Sequence, residues 1–340
     1  MKRAYAKIAA IQTFLPTGRL TNAELATEFP EWRMDKIYEK TGIEQRAVSQ
    51  PGQCASDLGI EAARKLFASG ICSPNDIDYL LFCTQSPDYF LPTTACLIQD
   101  SLKLPTHCGA LDFNLGCSGF IYGLSLAKGL IETETAGRVL LITADTYTKF
   151  IHPNDKSVRT LFGDGAAATL ITAELGLTPS IGPFVFGTDG RGAKNLIVPV
   201  GGSRSPEQVS DGDAVVDDAG NTHHPNHLFM NGPAILTFTL NAVPKAVHAL
   251  LEKASLTKEQ VDYFIFHQAS RVVLNSLQKK LSIPDEKFCV NLKDCGNTVS
   301  ATIPMAMEIA LQNQQIRPGN KVALVGFGVG YSWGGCLITV

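Results

Sequence analysis

Long apolar runs punctuated by Gly, Pro and Asp set the rhythm of this chain. The opening "MKRAYAKIAAIQTFLPTG" carries a short apolar run broken by Gln12 and closed by no small-residue cleavage site; it predicts a first strand and not a signal peptide. Three later pairs of runs echo one another. "IDYLLFCTQS" (77–86) resembles "VDYFIFHQAS" (261–270), "GRVLLITAD" (137–145) resembles "NKVALVGFG" (320–328), and "GDGAAATLITA" (163–173) resembles "GYSWGGCLITV" (330–340). Fully apolar strands alternating with helical patterns imply sheets covered on both faces. The chain therefore divides into two related βα halves, 1–174 and 175–340. The polar, Gly/Ser/Asp-rich stretch 201–228 reads as a surface excursion from the second half.

"CSGFIYGLSLAKGLIE" (117–132) predicts a helix with an apolar stripe of Phe120, Leu124, Ala127 and Ile131. Gly119 and Gly123, one turn apart, would let another helix approach closely. Such a helix is mostly buried, so Cys117 at its start lies inside the protein.

Composition narrows the setting. Apolar residues make up 45% of the 340 residues and charged residues only 18%, below the roughly 25% of an average domain. That balance calls for a large core or a permanent oligomer interface. A net charge of −3 supplies no global field toward nucleic acid or anionic membranes. No run approaches the roughly 18 apolar residues of a membrane span. The nine cysteines are odd in number, form no CxxC pair, and fall in apolar strands (Cys83, Cys108, Cys289, Cys336) or turns. This favours a reduced cytoplasmic setting and argues against a disulfide framework or a zinc site.

Three polar positions stand out against this apolar background. Free N–H groups at a buried helix start would lower the Cys117 thiol pKa and could hold an oxyanion; a packed structural thiol is the competing reading. His267 ends an apolar strand, where α/β sheets place their sites, or else is a buried histidine satisfied by a carbonyl. Asn297, in "CGNTVSATIP", is either a polar site residue or a helix cap. The order Cys, His, Asn also occurs in papain-like proteases, but their C-G-[SA]-C-[WY] signature near the N-terminus is missing.

Along nearly its whole length the chain resembles the type III β-ketoacyl-acyl-carrier-protein synthases of the thiolase superfamily. The resemblance rests on "EKTGIEQR" (39–46), "FLPTTACLIQDSL" (90–102), "NLGCSGFIYGLSLA" (114–127), "RTLFGDGAAATLI" (159–171), "FHQAS" (266–270), "CGNTVSATIP" (295–304) and "GFGVGYSWG" (326–334). It implies an α/β, thiolase-like fold of two duplicated halves in five αβαβα layers, and a homodimer. It implies that Cys117 takes an acyl group from an acyl-CoA or acyl-carrier-protein thioester. The backbone N–H groups of Cys117 and Val329 would hold the oxyanion. His267 and Asn297 would stabilise the enolate formed when a malonyl thioester loses CO2. Coenzyme A or phosphopantetheine thioesters enter as substrates; no cofactor is implied.

The departures concern substrate. The resemblance aligns Lys36 with a Trp that stacks on adenine, and Lys40 and Lys156 with coenzyme-A-contacting arginines. Ser270 replaces an Asn that often follows "HQA". Leu91 stands where a bulky Phe often closes the acyl pocket across the dimer. These changes suggest a specialised member. Arg271, Lys279 and Lys280 would form a basic patch for an acidic acyl carrier protein. The "HHPNH" run (223–227) lacks Cys or carboxylate at ligand spacing and is not read as a metal site. His107, His152 and His248 read as structural, and Asp164 as a turn residue. The rival activities are transfer of the Cys-bound acyl group to an alcohol or amine, and a cysteine hydrolase.

Overall fold

The computed structural model describes residues 3–207, 209–210 and 213–340. A mixed five-stranded sheet runs Arg3–Phe14, Gly165–Gly176, Arg138–Asp145, Tyr79–Cys83, Gly109–Phe113. A four-stranded sheet runs Ile181–Thr188, Ser332–Thr339, Lys321–Gly328, Tyr263–Phe266. All three echoed pairs of the sequence occupy equivalent positions in the two sheets. Strand directions match as well: 79–83 is parallel to 138–145 and 263–266 to 321–328, while the neighbouring pairs are antiparallel. Among the described residues, the first sheet's fifth strand is answered in the second by a parallel bridge between Phe264 and Phe288.

Helices Gly119–Glu132 and Thr302–Gln312 lie between the sheets and touch both. Helices Ala55–Ala68 and Thr94–Ser101 cover the outer face of the first sheet, and Gly232–Ala254 that of the second. Helix Arg271–Leu281 packs against Gly232–Ala254. This is the five-layer αβαβα arrangement. The apolar core follows the layers, one cluster centred between the sheets and one beneath each outer helical layer. Helix Gly232–Ala254 is long and apolar enough, by length and composition, to cross a membrane. Its Val243, Val247 and Leu250 are instead buried in the core over the second sheet.

Four local expectations change. Gly119 and Gly123 face a sheet, not a helix. A Cβ on Gly119 would overlap the Cys83 sulfur, and one on Gly123 would come within 2.7 Å of Leu141. Cys108 and Cys289 sit just outside regular strands. Asp164 is more than a turn former: its buried carboxylate accepts hydrogen bonds from the Ser49 and Thr148 N–H groups and the Thr148 hydroxyl. The 201–228 excursion is partly interior. It makes a hairpin of Val215–Val216 with Thr222–His223 and bonds back to Asn154 and Phe150.

The glycine contacts give a paired test. Gly119→Ala should destabilise the fold by ~1–3 kcal/mol through overpacking. Gly129, in the same helix, faces open space. Gly129→Ala should gain about 0.5–1 kcal/mol by relieving backbone entropy. Urea unfolding midpoints of the two variants should therefore move in opposite directions.

Candidate active site

The turn Gly116–Ser118 is held between the two sheets. A Cβ on Gly328 would meet the Cys117 sulfur at 3.1 Å, and one on Gly326 the Cys117 carbonyl oxygen at 2.8 Å. These two glycines of the Lys321–Gly328 strand thus admit the cysteine turn. The buried Ser118 and Ser332 hydroxyls, 2.6 Å apart, tie the turn to the next strand. Val329 follows Gly328 directly, and its Cγ1 lies 3.0 Å from the Cβ that Gly116 lacks.

Cys117 precedes the helix, which begins at Gly119. The expected lowering of its pKa does not dominate. Burial pushes the thiol up, the Asp145 charge adds to that, and a backbone hydrogen bond opposes it only in part. In this resting site the cysteine is a neutral thiol.

His267 follows the Tyr263–Phe266 strand and is buried. Its Nδ1 lies 2.7 Å from the Thr302 hydroxyl, which in turn lies 3.1 Å from the Val299 carbonyl. Burial pulls the imidazole pKa down to about 3, so the ring is neutral near pH 7. Phe327 meets the ring edge-on at 5.5 Å between centroids. The Asn297 Oδ1 accepts from the Val299 N–H at 3.0 Å, which turns the amide nitrogen toward His267 Nε2 at 3.5 Å.

Cys117, His267 and Asn297 line one cavity of 210 Å3. Its other walls are largely apolar, with Leu161, Phe162, Leu196, Met230, Ile235 and Leu236 among them. Leu228, at the end of the excursion, belongs to the apolar cluster around Cys117.

The substrate-side residues are dispersed. Ser270 lines the cavity and caps helix Arg271–Leu281, accepting from the Val273 N–H. Short helix Met34–Thr41 packs on that helix and carries Lys36, which is ion-paired to Glu39, and the exposed Lys40. The Lys156 ammonium donates to the Ala219 carbonyl at 3.1 Å. Arg271 lies over the Tyr38 ring, and Lys279 and Lys280 sit at the far end of its helix, roughly 12 Å along the axis. The three cations therefore form no single compact patch. Leu91 does not reach the cavity; Tyr89, Phe90 and Leu91 make an exposed apolar tip, with Leu91 82% exposed. His223 bridges toward Asp155 and Asp217, and the described residues hold no group of three potential metal ligands.

Sequence reading missed Asp145, which ends the Arg138–Asp145 strand. Its buried carboxyl accepts from the Gln85 N–H at 2.8 Å and from the N–H and hydroxyl of Ser300. Burial outweighs these donors and pushes its pKa up to about 7. The signal was its place after an apolar strand, the position that in the second half leads into the Gly-rich turn.

Two duplicated sheets with a buried Cys-His-Asn set at their junction define a thiolase-fold condensing enzyme. Family models described as 3-oxoacyl-[acyl-carrier-protein] synthase III and its C-terminal part match residues 111–190 and 251–340. A β-ketoacyl-[acyl-carrier-protein] synthase III of Caldanaerobacter subterraneus subsp. tengcongensis is 34% identical, with 98% of this chain and 97% of the relative aligned. A crystal structure of a 3-oxoacyl-(acyl-carrier-protein) synthase III superposes with TM-score 0.97 at 52% identity, covering 99% of this chain and 100% of the other. The Burkholderia xenovorans LB400 3-oxoacyl-(acyl-carrier protein) synthase gives 0.90 at 37%, covering 100% and 95%. The chain belongs to the β-ketoacyl-acyl-carrier-protein synthase III family and is an acyltransferase of the condensing type.

The Asp145 carboxyl makes stability depend on pH. Between the ordinary carboxylate range near pH 4 and about pH 7, the folded chain keeps a proton there that the unfolded chain has lost. Stability from this group therefore falls as pH rises through that window. Asp145→Asn should cost about 1–3 kcal/mol, because its amide nitrogen would face the Ser300 donors. The variant should also flatten the pH dependence of the urea midpoint between pH 5 and 8.

Proposed function

We propose that Cys117 accepts an acyl group from a coenzyme A or carrier-protein thioester and that His267 and Asn297 drive decarboxylative condensation with a malonyl-type thioester. One observation carries the reading: the Asn297 amide nitrogen and His267 Nε2 lie 3.5 Å apart on the wall of the cavity that also holds Cys117. A thioester carbonyl oxygen between them would receive two neutral hydrogen bonds, which suit an enolate.

In the first step the Cys117 sulfur attacks the donor carbonyl. A new C–S bond forms, the old one breaks, and the cysteine proton leaves with the departing thiol. The backbone N–H groups of Cys117 and Val329 hold the tetrahedral oxygen in this scheme. In the second step the malonyl C–C bond to carboxylate breaks and CO2 departs. The enolate carbon attacks the acyl-cysteine, and the sulfur leaves and is reprotonated.

The role of His267 depends on which nitrogen carries its proton. Thr302 has one hydroxyl proton and two neighbours, His267 Nδ1 at 2.7 Å and the Val299 carbonyl at 3.1 Å. Given to Nδ1, that proton leaves Nε2–H facing substrate as a donor. Given to Val299, it leaves Nε2 bare. Catalysis as proposed requires the first arrangement, so Thr302 is a positioning residue for the tautomer.

The wider assignments rest on the family resemblance. Lys40 and Lys156 would meet a donor's phosphates, Lys156 by leaving the Ala219 carbonyl; Lys36 would do so by leaving Glu39. Arg271, Lys279 and Lys280 remain the surface for an acidic carrier protein, spread along one helix. The exposed Tyr89–Leu91 tip supports a homodimer, in which Leu91 would close the partner's acyl pocket. All nine cysteines are free, which suits a reducing cytoplasm.

Intact-protein mass after incubation with acyl thioesters should show an adduct on wild type and none on Cys117→Ala. CO2 release with malonyl carrier protein then separates condensation from transfer to an alcohol or amine. If no thioester loads wild type, the proposal fails. Thr302→Val should lower decarboxylation about 10- to 100-fold, less than removal of a direct oxyanion donor, with Cys117 loading retained. Thr302→Ser should restore the rate; equal loss of loading in Thr302→Val would mark a merely structural role.

A further inference from the structure

Helix Gly232–Ala254 forms one wall of the Cys117 cavity through Gly232, Ile235, Leu236 and Thr239. Their spacing puts them on a single face, about two turns long. Three of the four present only apolar surface. Thr239 carries a hydroxyl that is fully buried and has no hydrogen-bond partner. A threonine hydroxyl inside a helix commonly bonds the carbonyl one turn back; this one does not. The other polar side chains of the cavity each have a partner: Ser270 takes the Val273 N–H, Asn297 the Val299 N–H, and His267 the Thr302 hydroxyl. A buried unsatisfied hydroxyl costs stability, and this one belongs to a residue that lines the reaction cavity.

We propose that the Thr239 hydroxyl binds an amide of the pantetheine arm that carries the thioester, and so fixes how deeply the reacting carbonyl sits relative to Cys117. This rests on the acyl-transfer reading above. An arm reaching Cys117 through a largely apolar passage must shed water from its own polar groups. A pantetheine arm is a saturated chain interrupted by two secondary amides. A hydroxyl both donates and accepts, so it can meet either the N–H or the C=O of an amide. The hydroxyl therefore distinguishes amide-bearing thioesters from plain alkyl thioesters of the same length. Its gain is realised only in the complex, which explains an uncompensated polar group in the free protein.

The test compares Thr239→Val and Thr239→Ser with wild type, reading Cys117 acylation rates by intact-protein mass. The probes are an acyl-pantetheine thioester and an S-alkyl thioester with the same acyl group and no amide. Thr239→Val should load from acyl-pantetheine about three- to tenfold less efficiently, the range of one neutral hydrogen bond. Its loading from the S-alkyl thioester should be unchanged, and Thr239→Ser should retain most of the wild-type preference. The unliganded Thr239→Val protein should also melt at a higher temperature than wild type, because it no longer buries an unpartnered hydroxyl. Equal loss with both probes would show general damage to the cavity and overturn the proposal, as would no loss with either. If wild type loads from neither probe, the acyl-transfer reading itself falls, an outcome separate from a wild type that loads but ignores the amide.

Discussion

A buried carboxyl with no cation beside it among the described residues holds this site together. Asp145 takes the Gln85 N–H on one side and the N–H and hydroxyl of Ser300 on the other. Gln85 reaches toward the cysteine turn: its amide meets Asn114 and Tyr147, and its Oε1 fills the space where a Gly116 Cβ would stand. Ser300 lies in the turn between Asn297 and the helix that begins at Thr302. One side chain thus ties the segment that presents Cys117 to the segment that presents Asn297 and orients His267. Burying an ionisable group without a counter-charge is costly, and the partial neutralisation of Asp145 near pH 7 is how the fold tolerates it.

The same logic governs the reactive groups. Burial keeps Cys117 protonated and His267 neutral, so the cavity holds no fixed charge next to its apolar walls. Negative charge appears there only transiently, on an oxyanion, a thiolate or an enolate. In the proposed mechanism each would then meet donors already in place, with no reorganisation needed at that moment. A histidine partnered by a hydroxyl and not by a carboxylate stays a weak base, and a weak base is the better neutral donor. The absence of an acid behind His267 is as informative as the presence of Asn297 beside it.

Much of this was legible in the chain. The three echoed strand pairs fixed two sheets of matching order, because fully buried strands leave an unbroken apolar record. Glycine-flanked Cys117, strand-terminal His267 and Asn297 in "CGNTVSATIP" declared themselves through setting and resemblance. Other features were not readable. Gly119 and Gly123 announced a close approach, but sequence does not say whether a helix or a strand comes near. The rise in the Cys117 pKa depends on burial from the second sheet and on Asp145, both distant in sequence. Thr302 and Thr239 are ordinary helix residues until the fold shows what their hydroxyls meet, or fail to meet. Arg271, Lys279 and Lys280 lie on one helix, Arg271 two turns from the other two, so the patch is extended along the helix.

The site also carries strain, and its location is telling. Val299 has φ of +55°, a left-handed backbone that a β-branched residue adopts at a cost of about 1–3 kcal/mol. Its N–H fixes the Asn297 side-chain Oδ1 and its own carbonyl is placed to accept from the Thr302 hydroxyl. A glycine would adopt this turn freely, yet would leave a gap in the apolar cluster that Val299 shares with Cys117. A valine in an extended conformation would fill the gap but point neither backbone group where it is needed. The strained residue does both, and the burial of its side chain, worth roughly 1.5–3 kcal/mol, is enough to offset the backbone. The peptide between the two polar residues is therefore part of the alignment of His267 and Asn297, held by packing and not by any charge.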